Sequence, residues 1–273
     1  MDANTPPDRR GWDDESAVPD VAADQVLGRD ADIPPLDRRD WAPRGIFGFN
    51  SRDRRSRPFF LLRSQIIKIM QANGWRILGI TSATPQVGKS FIAANLAASL
   101  SRVPTMHTLL FDLDLRRGSI GEMFEIATGI GIQTFLTGEV NSLTEAAYDV
   151  AGARMTIFPS FPTDHSSAEL LAGARMKSLV EAMKQLPENT ICICDLPPAF
   201  ANDDAATVVR EIDAYLFVVE EGRTTERQIR DAMNILSPAP CIGTVLNRYA
   251  GGIGSDDYGF GYGSQRGYDA YYS

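Results

Sequence analysis

Arg76-Ile77-Leu78-Gly79-Ile80-Thr81-Ser82-Ala83-Thr84-Pro85-Gln86-Val87-Gly88-Lys89-Ser90 is the stretch from which the fold of this chain is read. Arg76 to Ile80 is a short apolar run of the kind buried in a parallel sheet. Phe91 to Leu100 is an Ala/Leu/Ile run at helical spacing. A strand, a tight loop and a helix N-terminus together make an anion site, because unpaired backbone N–H groups and the helix dipole both favour negative charge. The spacing is that of the P-loop, with Ala83 where its first glycine stands. Val87, Gly88, Lys89, Ser90 and Phe91 are therefore the nucleotide-binding candidates. Gly88 lets the backbone come close, Lys89 offers a point charge to the β- and γ-phosphates, and Ser90 offers a hydroxyl to Mg²⁺. ATP and Mg²⁺ are the expected cofactors.

Two further apolar runs end in carboxylates. Thr108-Leu109-Leu110-Phe111-Asp112-Leu113-Asp114-Leu115-Arg116 closes on Asp-x-Asp-x-Arg, and Ile191-Cys192-Ile193-Cys194-Asp195-Leu196-Pro197-Pro198 closes on a single aspartate. Carboxylates at the C-terminal ends of parallel strands line the crevice where ligands bind. Mg²⁺ is held by one or two such groups together with waters and phosphate oxygens. Strands are expected over 76–80, 108–114, 154–159, 190–195, 214–219 and 241–247. Helices are expected over 59–73, 91–100, 173–186, 203–210 and 224–236. The alternation predicts an α/β fold with a doubly wound, mostly parallel sheet.

The P-loop, Phe111-Asp112-Leu113-Asp114-Leu115-Arg116-Arg117 and Asp195-Leu196-Pro197-Pro198 resemble, in order, the three nucleotide motifs of the bacterial tyrosine kinases of capsule and exopolysaccharide synthesis. These are relatives of the plasmid-partition and division-site ATPases. Ala168-Glu169-Leu170-Leu171, Asp204-Ala205 and Val245-Leu246-Asn247 match the same pattern, so the resemblance runs from Phe59 to Asn247. It implies a P-loop NTPase of the partition-ATPase type. It also implies an ATP- and Mg²⁺-dependent protein tyrosine autokinase that regulates polysaccharide polymerisation and export. By the same resemblance Lys89, Asp112, Asp114 and Asp195 are catalytic, with Asp114 orienting or deprotonating the acceptor tyrosine. Ser90, Asp112 and Asp195 hold the metal, and Asn247 faces the adenine. Arg116 is left between pairing with Asp114, touching phosphate and making a surface salt bridge. The implied partner is a membrane polysaccharide co-polymerase, or chain-length determinant, whose cytoplasmic tail activates the kinase. The implied location is cytoplasmic, peripheral to the inner membrane through that partner, and a homo-oligomer is possible.

The chain departs from the family pattern in places. Pro85-Gln86-Val87-Gly88-Lys89 stands where the family has Pro-Gly-Glu-Gly-Lys, and Ser166-Ser167 stands where it has Asn-Pro. Of the ring-forming Glu-x-x-Arg-x-x-Arg, aligned with Arg57 to Arg63, only Arg63 remains. No lysine occurs between Ser82 and Val87, where partition ATPases carry a signature lysine. Two other readings stand beside the kinase: a partition-type ATPase switch, which the missing lysine disfavours, and a nucleotide-binding regulator without kinase activity, which the altered Gln86 and Val87 keep open.

Composition suits such a domain. The 273 residues are 44% apolar and carry a net charge of −8, which argues against general nucleic-acid binding. Three cysteines and two histidines lack metal-ligand spacing, so no zinc is expected. No run of about 18 apolar residues suggests a membrane helix. Residues 1–56 are expected to form a disordered polar segment, 57–249 the catalytic domain, and 250–273 a flexible Gly/Tyr-rich tail. The first segment is polarised: residues 1–32 hold nine acids and three arginines, and residues 33–57 hold seven arginines and three aspartates. Trp41, Ile46, Phe47 and Phe49 read either as part of a solvated linker or as a docking or membrane-surface element. The tail carries Tyr258, Tyr262, Tyr268, Tyr271 and Tyr272, five of the chain's eight tyrosines, which are the candidate phosphoacceptors.

Overall fold

The structure, a computed structural model, describes residues 21–27, 33, 35–37, 40–126 and 128–249. The five tail tyrosines and residues 1–20 lie outside them. Eight strands form one sheet: β1 (Pro35–Leu36), β2 (Ile77–Ser82), β3 (His107–Asp112), β4 (Tyr148–Val150), β5 (Met155–Phe158), β6 (Thr190–Asp195), β7 (Ala214–Glu220) and β8 (Cys241–Asn247). Their order is β1-β4-β5-β3-β6-β2-β7-β8, and every pairing is parallel except β4 with β5. The helices are α1 (Ala23–Leu27), α2 (Arg57–Asn73), α3 (Lys89–Leu100), α4 (Ile120–Met123), α5 (Ile132–Thr137), α6 (Ser167–Ala172), α7 (Ala174–Lys184), α8 (Asp204–Val209) and α9 (Glu226–Leu236).

The central strands are buried on both sides, which is why they read as continuous apolar runs rather than alternating ones. Alternate residues still face opposite layers. Leu78, Ile80, Leu110, Ile193 and Leu216 pack with α2 and α3, whereas Ile77, Leu109, Phe111, Cys192, Cys194 and Phe217 pack with α7, α8 and α9. Full burial of such side chains stabilises by about 1.5–3 kcal/mol each. The cysteines behave as apolar core, and burial pushes both thiols above their ordinary range. Phe111 stacks on Phe158 of the neighbouring strand, with centroids 4.3 Å apart and planes within 2°. That stack pins the end of β3, where Asp112 follows.

Part of the segment expected to be disordered is folded against the domain. Trp41 and Ile46 are each 3% exposed. Trp41 packs on Phe49 and Phe124 with centroids 5.5 and 5.3 Å away. Asn95, buried in α3, accepts from the amides of Phe47 and Gly48 at 2.6 and 3.1 Å and donates to the Gly45 carbonyl at 2.8 Å. A side chain at Gly48 would run into the α3 backbone. Further upstream, Val21 and Val26 are buried, α1 packs on α7, and β1 adds to the sheet beside β4. The boundary at residue 56 therefore does not hold for the described residues: the apolar side chains among the arginines serve the core. Trp41 and Ile46 are not available to a membrane surface.

Candidate functional site

β2 runs into residues 83–88, which turn sharply into α3. Gly88 sits at φ +93°, a backbone conformation that costs glycine least, and a Cβ there would strike the Asn247 amide. Asn247, at the end of β8, donates to the Val87 carbonyl at 2.8 Å, so it backs the loop from behind rather than lining the cavity in front of it. Ser82 closes the other end by donating to the Thr84 carbonyl at 2.8 Å. The chain after Asp195 runs alongside: Ala199 and Phe200 donate their amides to the Ser82 and Ala83 carbonyls at 2.8 and 3.1 Å. Thr81 Oγ1 donates to the Pro197 carbonyl at 2.8 Å.

The expected carboxylates converge beneath this loop. Asp112 and Asp195 are register partners on adjacent strands, and both are fully buried. Asp112 Oδ2 accepts from the Ser119 and Ile120 amides at 2.9 and 3.0 Å and so caps α4. Its Oδ1, and both carboxylate oxygens of Asp195, are buried without a hydrogen-bond partner. The Ser90 hydroxyl faces Asp195 without reaching good hydrogen-bond geometry. Burial pushes the Asp195 carboxyl up to about 6, against the lowering influence of Lys89 and Ser90. Asp112 is pushed well above the usual carboxylate range, first by burial and then by the charge of Asp195. A pair of buried acids with three unpaired oxygens, beside a hydroxyl, fits a divalent cation. Ser90, Asp112 and Asp195 are the residues that would hold Mg²⁺.

Lys89 Nζ lies 3.5 Å from Asp114 Oδ2, and both residues are nearly buried. Together with Gly88, Ser90 and Phe91 they line a cavity of about 680 Å³, closed on the far side by Pro197 and Pro198. Of the nucleotide candidates Val87 and Asn247 do not line this cavity; Val87 is buried with its carbonyl on the Asn247 amide. Arg116 is paired with Asp204 at 3.4 Å and not with Asp114. Two contributors escaped the sequence reading. Arg248 lines the cavity from the turn after β8, at φ +55°, with its guanidinium 2.9 Å from Glu220. The Ser167 hydroxyl meets both Arg116 and Asp204. Neither carries a spacing signal, because each reaches the site from a distant part of the chain.

A strand–loop–helix phosphate cradle over two strand-end aspartates, in a parallel sheet, defines a P-loop ATPase fold of the partition type. The fold matches the cell division ATPase MinD of Pyrococcus furiosus with a TM-score of 0.53, at 22% identity over 64% of this chain and 73% of that one. It matches the kinase domain of the Escherichia coli tyrosine kinase Etk with a TM-score of 0.68, at 23% identity over 85% of this chain and 97% of that one. In sequence the chain is 30% identical to the putative tyrosine-protein kinase EpsB of Ralstonia nicotianae over 76% of its length, 33% identical to the succinoglycan biosynthesis transport protein ExoP of Rhizobium meliloti over 63%, and 29% identical to the Escherichia coli tyrosine-protein kinase Etk over 68%. No family profile matches the chain. The chain belongs to the bacterial tyrosine kinase family. It spans about a quarter of the length of the curated relatives it matches, 22% of ExoP and 25% of Etk. Among the described residues no helix is long and apolar enough to cross a membrane.

Proposed function

We propose that this chain is an ATP- and Mg²⁺-dependent protein tyrosine kinase that acts in exopolysaccharide assembly and phosphorylates the tail tyrosines Tyr258, Tyr262, Tyr268, Tyr271 and Tyr272 of a second copy. The observation that carries the reading is the unpaired, buried Asp112–Asp195 couple directly under a P-loop lysine, with Asp114 on the cavity wall beside it. Lys89 and the amides of the loop bind the β- and γ-phosphates. Ser90, Asp112 and Asp195 hold Mg²⁺, which neutralises charge on those oxygens when bound. Lys89 is engaged by Asp114 at rest, and its exchange onto phosphate frees that carboxylate to accept the tyrosine proton. Asn247 serves by holding the Val87 carbonyl and thus the shape of the loop.

The names of the relatives, a tyrosine-protein kinase and a succinoglycan biosynthesis transport protein, support the substrate and process. We take the activating partner to be the cytoplasmic segment of a membrane polysaccharide co-polymerase, with the kinase held at the cytoplasmic face of the inner membrane. The test mixes Lys89→Ala chain with a second chain whose tail tyrosines are all phenylalanine, in ATP, Mg²⁺ and membranes carrying the co-polymerase. Phosphotyrosine is expected on Tyr258 to Tyr272 of the Lys89→Ala molecule by mass spectrometry. ATP hydrolysis without phosphotyrosine would replace the kinase by a partition-type switch, and binding without hydrolysis by a regulator.

A further inference from the structure

Of the three arginines on the cavity wall, Arg116, Arg117 and Arg248, none has a task in the scheme above. Arg116 follows Asp114 by two residues and lines the same cavity. Its Nε donates to Ser167 Oγ at 2.8 Å and lies 3.4 Å from Asp204 Oδ2. Asp204 is 1% exposed, and the same Oδ2 accepts from Ser167 Oγ at 2.7 Å and from Asn202 Nδ2 at 2.5 Å. Its Oδ1 is buried with no partner. A buried carboxylate at the start of α8 and a hydroxyl from α6 thus converge on a guanidinium whose side chain is 56% exposed. A surface ion pair contributes little and needs no such bracket. Gripping an arginine at Nε leaves both Nη groups free, and Nη1 and Nη2 of Arg116 make no hydrogen bond among the described residues. That free fork is the end that matches phosphate oxygens. The neighbouring Arg117 lines the cavity too but has no bracket.

We propose that Arg116 is a catalytic residue that binds the transferring phosphoryl group on its acceptor side, and that Ser167, Asp204 and Asn202 are positioning residues that hold its guanidinium. The proposal rests on the phosphoryl-transfer reading. In that step the tyrosine oxygen bonds to the γ-phosphorus while the bond to the bridging β,γ-oxygen breaks. The electron pair leaves on ADP, and the tyrosine proton passes to Asp114. Negative charge spreads over the three equatorial oxygens of the moving group. Lys89 and the metal ligands serve the donor side. On the acceptor side stands the Asp114 carboxylate, which repels that charge, and Arg116 offsets it there.

The test compares binding of MgADP with binding of MgADP plus aluminium fluoride, which mimics the phosphoryl group in flight, to the full chain. Arg116→Ala should weaken the fluoride complex by about 100-fold or more and leave MgADP unchanged. Arg116→Lys should not restore it, because an ammonium lacks the fork, whereas added guanidinium ion should restore part of it to Arg116→Ala. Ser167→Ala should cost the fluoride complex about tenfold, the worth of one hydrogen bond to a charged group, and Ser167→Thr should recover it. The Ser167 pair decides the positioning role even if Asp204→Asn fails to fold. Equal weakening of both ligands by Arg116→Ala would make it a ground-state contact, and no weakening would make it a surface ion pair. Either result overturns the proposal. A wild-type chain that binds no MgADP would overturn the nucleotide reading first and this proposal with it.

Discussion

The phosphate loop is held by protein at its back and at both ends: Asn247 holds the Val87 carbonyl, Ser82 holds that of Thr84, and amides of residues 199 and 200 meet the carbonyls of residues 82 and 83. One layer below, Asp112 and Asp195 keep three buried oxygens with nothing to bind. On the proposed function the loop meets its anion with the backbone already in place, which costs little because amides remain neutral and water reaches the cavity side. The acids are a different matter. Two adjacent carboxylates out of water repel each other and lose hydration, so the pair is destabilising, a cost that the proposed Mg²⁺ would offset. On the proposed function, the anion half of the site is preorganised and the cation half is held under electrostatic stress.

The comparison breaks first at Lys89, which follows the loop at the start of α3 and whose charge acts on Asp195. Lys89→Ala should lower phosphotyrosine formation by about 100-fold or more, with the circular dichroism spectrum retained. Normal nucleotide binding and turnover in that variant would remove the loop from the site. The stress itself is read by pH. In metal-free protein the folded state keeps protons on Asp195 that the unfolded chain has released between 3.8 and about 6. Its contribution is therefore greatest at the acid end and is lost as pH rises through that window, on the order of a few kcal/mol. Mg²⁺ needs the deprotonated pair, so its stabilising effect should appear only as pH rises through about 6. Thermal melts at about pH 5 and about pH 7.5, with and without Mg²⁺, separate the two trends. Asp195→Asn should raise the metal-free melting temperature at the higher pH and abolish the Mg²⁺ response. A fall in stability instead would mean that the carboxylate is not under stress.

Smaller effects sharpen the loop side. Asn247→Ala removes one hydrogen bond and the support behind Gly88, and should cost about 1 kcal/mol with a severalfold loss of MgADP affinity in a binding titration. Gln86 sits at φ +64°, in the left-handed region, at the position where related loops have glycine. Gln86→Gly should relieve about 1 kcal/mol of backbone strain, visible as a higher midpoint in urea. An unchanged or lower midpoint would show that the side chain repays its backbone cost.

The loop, the three strand-end aspartates and the alternating architecture were legible because each lies within a few residues of an apolar run with a definite period. The arginine-rich segment was misread for the opposite reason. Trp41, Phe47 and Phe49 have no period of their own, and their partners, Asn95 and Phe124, lie far along the chain. The helix expected over 173–186 is shorter, at 174–184, and α4, α5, α6 and β4 were not expected at all. All four are short elements whose formation depends on neighbours, such as the Asp112 cap on α4 and the β5 ladder under β4.

Local pattern by itself determined which residues are chemically equipped: Lys89 and Ser90 at a helix start, Asp112, Asp114 and Asp195 at strand ends, because charge and periodicity are properties of neighbouring residues. It could not determine what each of them faces. That Lys89 rests on Asp114, that Asp112 abuts Asp195 with oxygens unpaired, that Asn247 stands behind the loop and that Arg116 is gripped by Ser167 and Asp204 were decided by tertiary structure alone. Each is a contact between segments tens of residues or more apart, formed where strand order brings the carboxyl ends of β2, β3, β6 and β8 to one edge of the sheet.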